Sequence, residues 1–222
     1  MHGTEQETDH GVKTMALAEI ELPLDRNGLP EEVATFLREA DERIDDYVTR
    51  NAHEFTGFVA SNYETIFYAL RAISDRGLTA GHSFCEWGSG FGVVAALAAL
   101  LDFDSCGIEI SRDLVDGARE LVDDFNLPVE FVHGSFVPHA GVAQAEQACA
   151  ERSSEQFWLV TDADDAYDEL GFDADDFDLV FAYPWPGEEP VINELFDAHA
   201  AVGSLLLTHT QFDSVMLKRK VS

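Results

Sequence analysis

The chain of 222 residues carries 13 Lys and Arg against 43 Asp and Glu, a formal charge of −30, and 46% of its residues are hydrophobic. With 16 Phe, 5 Tyr and 3 Trp it holds enough apolar surface to offset chain entropy, which excludes disorder of the whole chain. The charge opposes contact with nucleic-acid phosphates and anionic lipid, since both need Lys and Arg, and it leaves neutral or basic molecules as partners.

Residues Met1 to Thr14 have almost no apolar side chains to dock them, so a disordered tail is expected there, followed by a single domain over 15–222. From Ala18 to Leu24 apolar and polar residues alternate, which reads as a short edge strand that tolerates Pro23. Two helices are then expected within 30–77. The first opens at Pro30 and puts Val33, Phe36, Leu37, Ala40, Ile44, Tyr47 and Val48 on one stripe. The second opens with Ser61 and Glu64 in capping-box spacing and closes at Gly77.

His82 to Glu86 reads as a strand and Val93 to Leu101 as a helix apolar on every side. Ser105 to Ile110 is the next strand, Ser111 caps the helix that follows, and Pro128 stops it before a strand from Val129 to His133. This alternation forces parallel strands with helices on both faces. The signal weakens over 138–176, which reads as an exposed insertion with an Ala-rich helix, a strand from Phe157 to Thr161 and an acidic run. A strand from Phe177 to Tyr183, a helix from Glu188 to Val202, a strand from Ser204 to His209 and a last strand within Ser214 to Val221 complete the chain.

Cys85, Cys106 and Cys149 form no CxxC pair, and no His pair stands at ligand spacing, so neither a disulfide framework nor a metal site is expected. The start is polar and acidic and no apolar run approaches ~20 residues, so the expected location is the cytoplasm, away from membranes.

The informative stretch is Glu86-Trp87-Gly88-Ser89-Gly90-Phe91-Gly92, set between a strand and an apolar helix. Glycine allows the tight turn and lets a ligand lie against the backbone, and amides at the helix start favour an anionic group. Glu109 ends the next strand about 20 residues after Gly88, where an acid reaches ribose hydroxyls.

At these residues the chain resembles the class I S-adenosylmethionine-dependent methyltransferases, whose first motif is an acid, any residue, then Gly-x-Gly-x-Gly. The resemblance covers about Phe84 to His209. It implies a Rossmann-like αβα sandwich, α/β in class, with a mostly parallel sheet of six or seven strands. Val93 stands where a dinucleotide fingerprint would put Gly or Ala, which disfavours a nicotinamide-dependent oxidoreductase. The resemblance implies that Glu86 and the turn of Gly88, Ser89 and Gly90 surround the methionine part of S-adenosylmethionine, with Trp87 and Phe91 also among the cofactor-binding residues. It also implies that Glu109 holds the ribose, that Ile110 touches adenine, and that Gly134 and Ser135 lie near the adenine amine. Tyr63 falls where early helices of the family cover the cofactor. Too few residues follow His209 for the family's usual ending, so either an edge strand is missing or the segment from Ala18 replaces it.

Methyl transfer needs nucleophile, methyl and sulfur held in line, and a base is optional. Tyr183, at the strand tip that abuts the methyl in the family, and His209, able to accept a proton near neutral pH, are the catalytic candidates. Glu188 and Glu189 suit a helix start. The reading is a methyltransferase acting on a small-molecule or basic protein acceptor, as a monomer or weak homodimer. A non-catalytic regulatory module that binds the same cofactor is the alternative.

Overall fold

The computed structural model describes residues 16–51, 62–152, 166–209 and 214–222, and of 148–152 the backbone alone. The expected tail at 1–14, the strand at 157–161 and the Ser61 cap lie outside the described residues. In chain order the elements are β1 (Leu17–Ile20), α1 (Glu31–Arg50), α2 (Tyr63–Asp75), β2 (Ser83–Trp87), α3 (Val93–Ala99), β3 (Asp104–Glu109) and α4 (Arg112–Asp124). They continue with β4 (Val129–His133), α5 (Val142–Arg152), α6 (Ala166–Leu170), β5 (Leu179–Ala182), α7 (Glu189–His199), β6 (Leu205–His209) and β7 (Val215–Lys220).

Among the described residues seven strands form one sheet in the order β1-β7-β6-β5-β2-β3-β4. The five strands from β4 to β6 in that order run parallel, while β7 is antiparallel to both β6 and β1. The N-terminal segment therefore supplies the edge strand, in the register Leu17 to Lys220 and Ile20 to Leu217. It spans only Leu17–Ile20, and Pro23 lies beyond its end. Central strands β5 and β6 are buried along their whole length, which is why LVFA and LLLTH read as apolar runs without alternation.

Helices cover both faces. On one side Phe36, Ile44, Phe67, Leu70, Leu97 and Leu121 from α1 to α4 close over Phe84, Phe131, Phe181 and Leu207. On the other, Tyr167, Leu170, Ile192, Leu195 and Phe196 close over Trp87, Ile108, Val180 and Leu206. The described parts of 138–176 thus correct the expectation of an exposed insertion. Ala145, Tyr167, Leu170 and Ala174 are buried, and the Tyr167 hydroxyl donates to the Phe136 carbonyl at 2.8 Å. Its small and polar residues hid a crossover helix layer. Val48 is a smaller correction: it is 37% exposed, because α1 outruns the core it packs on. The second helix is capped by Asn62, whose Oδ1 accepts from the Thr65 amide at 3.0 Å.

Basic side chains tie the ends of the chain to this frame. Lys220 is buried and donates to the Ala200 carbonyl at 2.6 Å, and Lys218 reaches Glu189 at 3.1 Å and Asn193 at 3.0 Å. Together they fasten β7 to α7. Arg71 donates to the carbonyls of Asp25, Asn27 and Gly28, and Arg76 to that of Pro23, which pins the link between β1 and α1 onto α2. Among the described residues no helix is long and apolar enough to cross a membrane. Replacing Lys220 with Met keeps the stem but leaves the Ala200 carbonyl without its charged donor, so urea unfolding should show a loss of about 1 to 3 kcal/mol. An unchanged midpoint would contradict that role.

Candidate functional site

Side-chain alternation along β2 sends Phe84 and Glu86 toward α3 and sends Cys85 and Trp87 to the opposite face. The strand then runs straight into the Gly88 to Gly92 turn. The amides of Gly88 and Ser89 both donate to the Ile108 carbonyl, at 2.9 and 3.0 Å, so the turn lies against the end of β3. Gly107 permits this contact, because a Cβ there would come within 2.7 Å of the Ser89 Cβ and of the Phe131 ring. Gly92 starts α3 at φ +67°, and a side chain on it would overlap the Phe131 ring. By contrast, a Cβ on Gly88 would meet nothing within 4 Å. The turn is therefore braced from below and open at its tip.

Two carboxylates flank it. Glu109 is 7% exposed, and its Oε2 accepts from the Gly90 amide at 2.9 Å while Oε1 accepts from the Ser111 amide at 2.8 Å. Burial pushes this carboxyl above its ordinary range, against the pull of the amides and of His133. Glu86 is 5% exposed, and its Oε2 accepts from the Ala95 amide at 2.7 Å. Burial pushes it well above the usual carboxylate range, the Ala95 amide opposes that, and nearby Glu109 adds to it. The first turn of α3 thus gives its Ala95 amide to the protein's own carboxylate. This corrects the expectation that the helix start as a whole faces a ligand.

The remaining site candidates divide by where their side chains go. Trp87 stacks on Phe136 with ring centroids 5.4 Å apart and meets Phe196 edge-on, so it is a core residue of the far face. Phe91 is also core, edge-on to Tyr47 at 5.2 Å and seated beneath Gly117. Both offer a ligand only main chain. Ser89 is buried against Gly107. Ile110 is 39% exposed beside Glu109. The Gly134 amide donates to the Glu109 carbonyl at 2.9 Å, and buried Ser135 accepts at Oγ from the Val137 amide at 3.1 Å. Tyr63, half-buried, opens α2.

Tyr183 and His209 come together as well. Trp87 registers with Ile108 and with Ala182, and Ala182 with Thr208, so Gly88, Glu109, Tyr183 and His209 each follow one step later along the carboxyl edge. The rings of Tyr183 and His209 have centroids 5.6 Å apart. His209 is buried, and the Tyr183 phenol is raised by partial burial, which keeps it protonated. Glu188 accepts from the Trp185 amide at 3.1 Å and Glu189 pairs with Lys218, so both are occupied at the start of α7. Ser111 takes the cap position of α4 without a side-chain cap bond, and its amide serves Glu109 instead. Sequence reasoning missed Gly107 and Tyr47. A glycine inside a strand already marks a close backbone approach, whereas nothing in the sequence pointed Tyr47 at the turn.

No protein-family model and no curated protein matches the chain. Among solved structures, a methyltransferase from Geobacter sulfurreducens aligns over 87% of this chain and 93% of its own, with TM-score 0.51 and 16% identity. An RNA methyltransferase from Salinibacter ruber, in complex with S-adenosyl-L-homocysteine, aligns over 72% and 92% of the two chains with TM-score 0.48 and 15% identity. An O-methyltransferase from Bacillus cereus, in complex with the same molecule, aligns over 82% and 67% with TM-score 0.45 and 15% identity. The Geobacter likeness and the strand order show that the chain has the class I methyltransferase fold.

The two ends of the turn respond differently to an added methyl. Gly92→Ala meets both a left-handed backbone and the Phe131 ring and should cost about 2 to 4 kcal/mol in urea unfolding. Gly88→Ala meets only the backbone strain and should cost about 1 to 2 kcal/mol. Equal losses would contradict the bracing described above.

Proposed function

We propose that this chain binds S-adenosylmethionine across the Gly88 to Gly92 turn and transfers its methyl group to a small-molecule or basic protein acceptor. The observation that carries the reading is Glu109, a nearly buried carboxylate fixed by the Gly90 and Ser111 amides at the carboxyl edge of a parallel sheet. A carboxylate has about four acceptor positions, so with the backbone amides of Gly90, Ser111 and Ile110 around it Glu109 still has capacity for a ribose hydroxyl. The open tip at Gly88 and exposed Ile110 suit a nucleoside lying across the turn. Ligands bind at this edge of open α/β sheets as a general rule.

When bound, the cofactor supplies an electrophilic methyl carried on a sulfonium. The protein's part is to orient and to keep the reaction dry. Glu109 anchors the sugar, the turn supports the amino-acid tail, and Tyr183 at the tip of β5 borders the place where an acceptor approaches. Its protonated phenol donates a hydrogen bond to an acceptor heteroatom, and His209 takes the proton that the acceptor loses. Orientation accounts for most of the rate in such a displacement. The charge of −30 and the committed lysines favour a neutral or cationic acceptor over a phosphorylated one. A monomer or weak homodimer in the cytoplasm completes the proposal.

Titration calorimetry with S-adenosylmethionine and S-adenosylhomocysteine tests it. Both should bind, Glu109→Ala should weaken them by about 1 to 3 kcal/mol, and Gly90→Val should abolish binding. Absence of binding to the unaltered protein at millimolar ligand would refute the reading.

A further inference from the structure

We propose that Phe131 is a positioning residue of the cofactor site: its ring, reaching across β3 from the edge strand β4, sets the height of the glycine turn and with it the affinity for the part of the ligand that lies on that turn. The inference rests on the cofactor reading above and deepens it.

Phe131 stands opposite Gly107 in the ladder between β3 and β4. Because Gly107 has no side chain, the ring lies over the bare backbone of β3, where a Cβ would come within 2.7 Å of the ring Cδ1. The far end of the ring then reaches Gly92, where a Cβ would overlap its Cζ and Cε1. Two glycines on different elements thus make room for one ring. That ring is 2% exposed, so it acts on a ligand only through the backbone it supports.

The ring is itself held in place. The Arg119 guanidinium of α4 donates to the Phe131 carbonyl at 2.6 Å. The two residues before Arg119 reach the same turn, since Gly117 seats the Phe91 ring and the Ala118 Cβ lies 3.1 Å from where a Gly92 Cβ would stand. The α3 end of the turn is therefore bracketed by Phe131 and α4. At its other end the Gly88 and Ser89 amides hold to the Ile108 carbonyl, and the tip stands open. A smaller side chain at position 131 leaves a hollow under Gly92, and the surrounding structure relaxes partly into such a space. Glu109 keeps its Ser111 amide when the turn shifts, because that bond belongs to the end of β3. The displacement consequently falls on the ligand's amino-acid tail more than on its sugar.

The test is calorimetry on the unaltered protein and on Phe131→Leu with two probes. S-adenosylhomocysteine carries the amino-acid tail, and 5′-methylthioadenosine carries the nucleoside without it. Phe131→Leu should weaken the first about tenfold and the second less than about twofold, because small misplacements of a binding backbone are costly. Phe36→Leu is the control, since it trims an equally buried ring that packs on Phe125 at the end of α4. It should lower the urea midpoint in the same way and leave both affinities unchanged. Unchanged S-adenosylhomocysteine affinity in Phe131→Leu, equal losses with both probes, or the same loss in Phe36→Leu would overturn the proposal while leaving the cofactor reading intact. If the unaltered protein does not bind S-adenosylhomocysteine, the cofactor reading falls and this proposal with it. Should 5′-methylthioadenosine bind too weakly to measure, the comparison with Phe36→Leu decides. Should Phe131→Leu fail to fold, Phe131→Met takes its place, and its flexible chain fills more of the hollow, so the expected loss is about threefold with the first probe alone.

Discussion

The carboxylate of Glu109 joins two turns that otherwise have no reason to stay together. One oxygen holds the Gly90 amide after β2 and the other holds the Ser111 amide after β3. The glycine turn is thereby fixed to the neighbouring strand end at the point where the sheet opens. Gly107 is a consequence of that closeness, since a Cβ on it would meet the Ser89 Cβ, while Gly92 leaves room for the Phe131 ring. A charge kept this dry is costly, and it persists because it organises backbone donors on one side while retaining acceptor capacity on the other.

In a chain of charge −30, several of the few basic groups hold separate elements together. Lys218 and Lys220 fasten the last strand, Arg71 and Arg76 hold the link leaving the first, and Arg43, steadied by Glu39 on its own helix, bridges α1 to α4 through Asp124. None of these cations lies at the glycine turn. The two carboxyls at the turn therefore have no basic side chain among these beside them, which sets the kind of ligand proposed for the site.

Much of this was legible in the residues. The β2-turn-α3 unit announced itself because glycines, an apolar helix and a strand-end acid each have a distinct physical reason to occur there, and the fold class followed from the alternation of elements. The edge strand was half legible: the alternation from Ala18 was visible, but only pairing with β7 shows which of two endings the chain uses. The crossover between β4 and β5 was misread because Ala and Gln carry little periodic signal and its burial depends on Tyr167 and Leu170 meeting residues far away in sequence. Trp87 and Phe91 illustrate a different limit. A motif position fixes where a backbone goes, whereas the face a side chain takes is decided by strand parity and by partners such as Phe136 and Tyr47.

The most direct measurement is a crystal structure of the protein grown with S-adenosylhomocysteine. The account predicts the ribose hydroxyls within hydrogen-bond distance of Glu109 and the amino-acid tail passing over Gly88 toward Glu86. Density at another edge of the sheet, or a Glu109 turned away from a bound nucleoside, would contradict it.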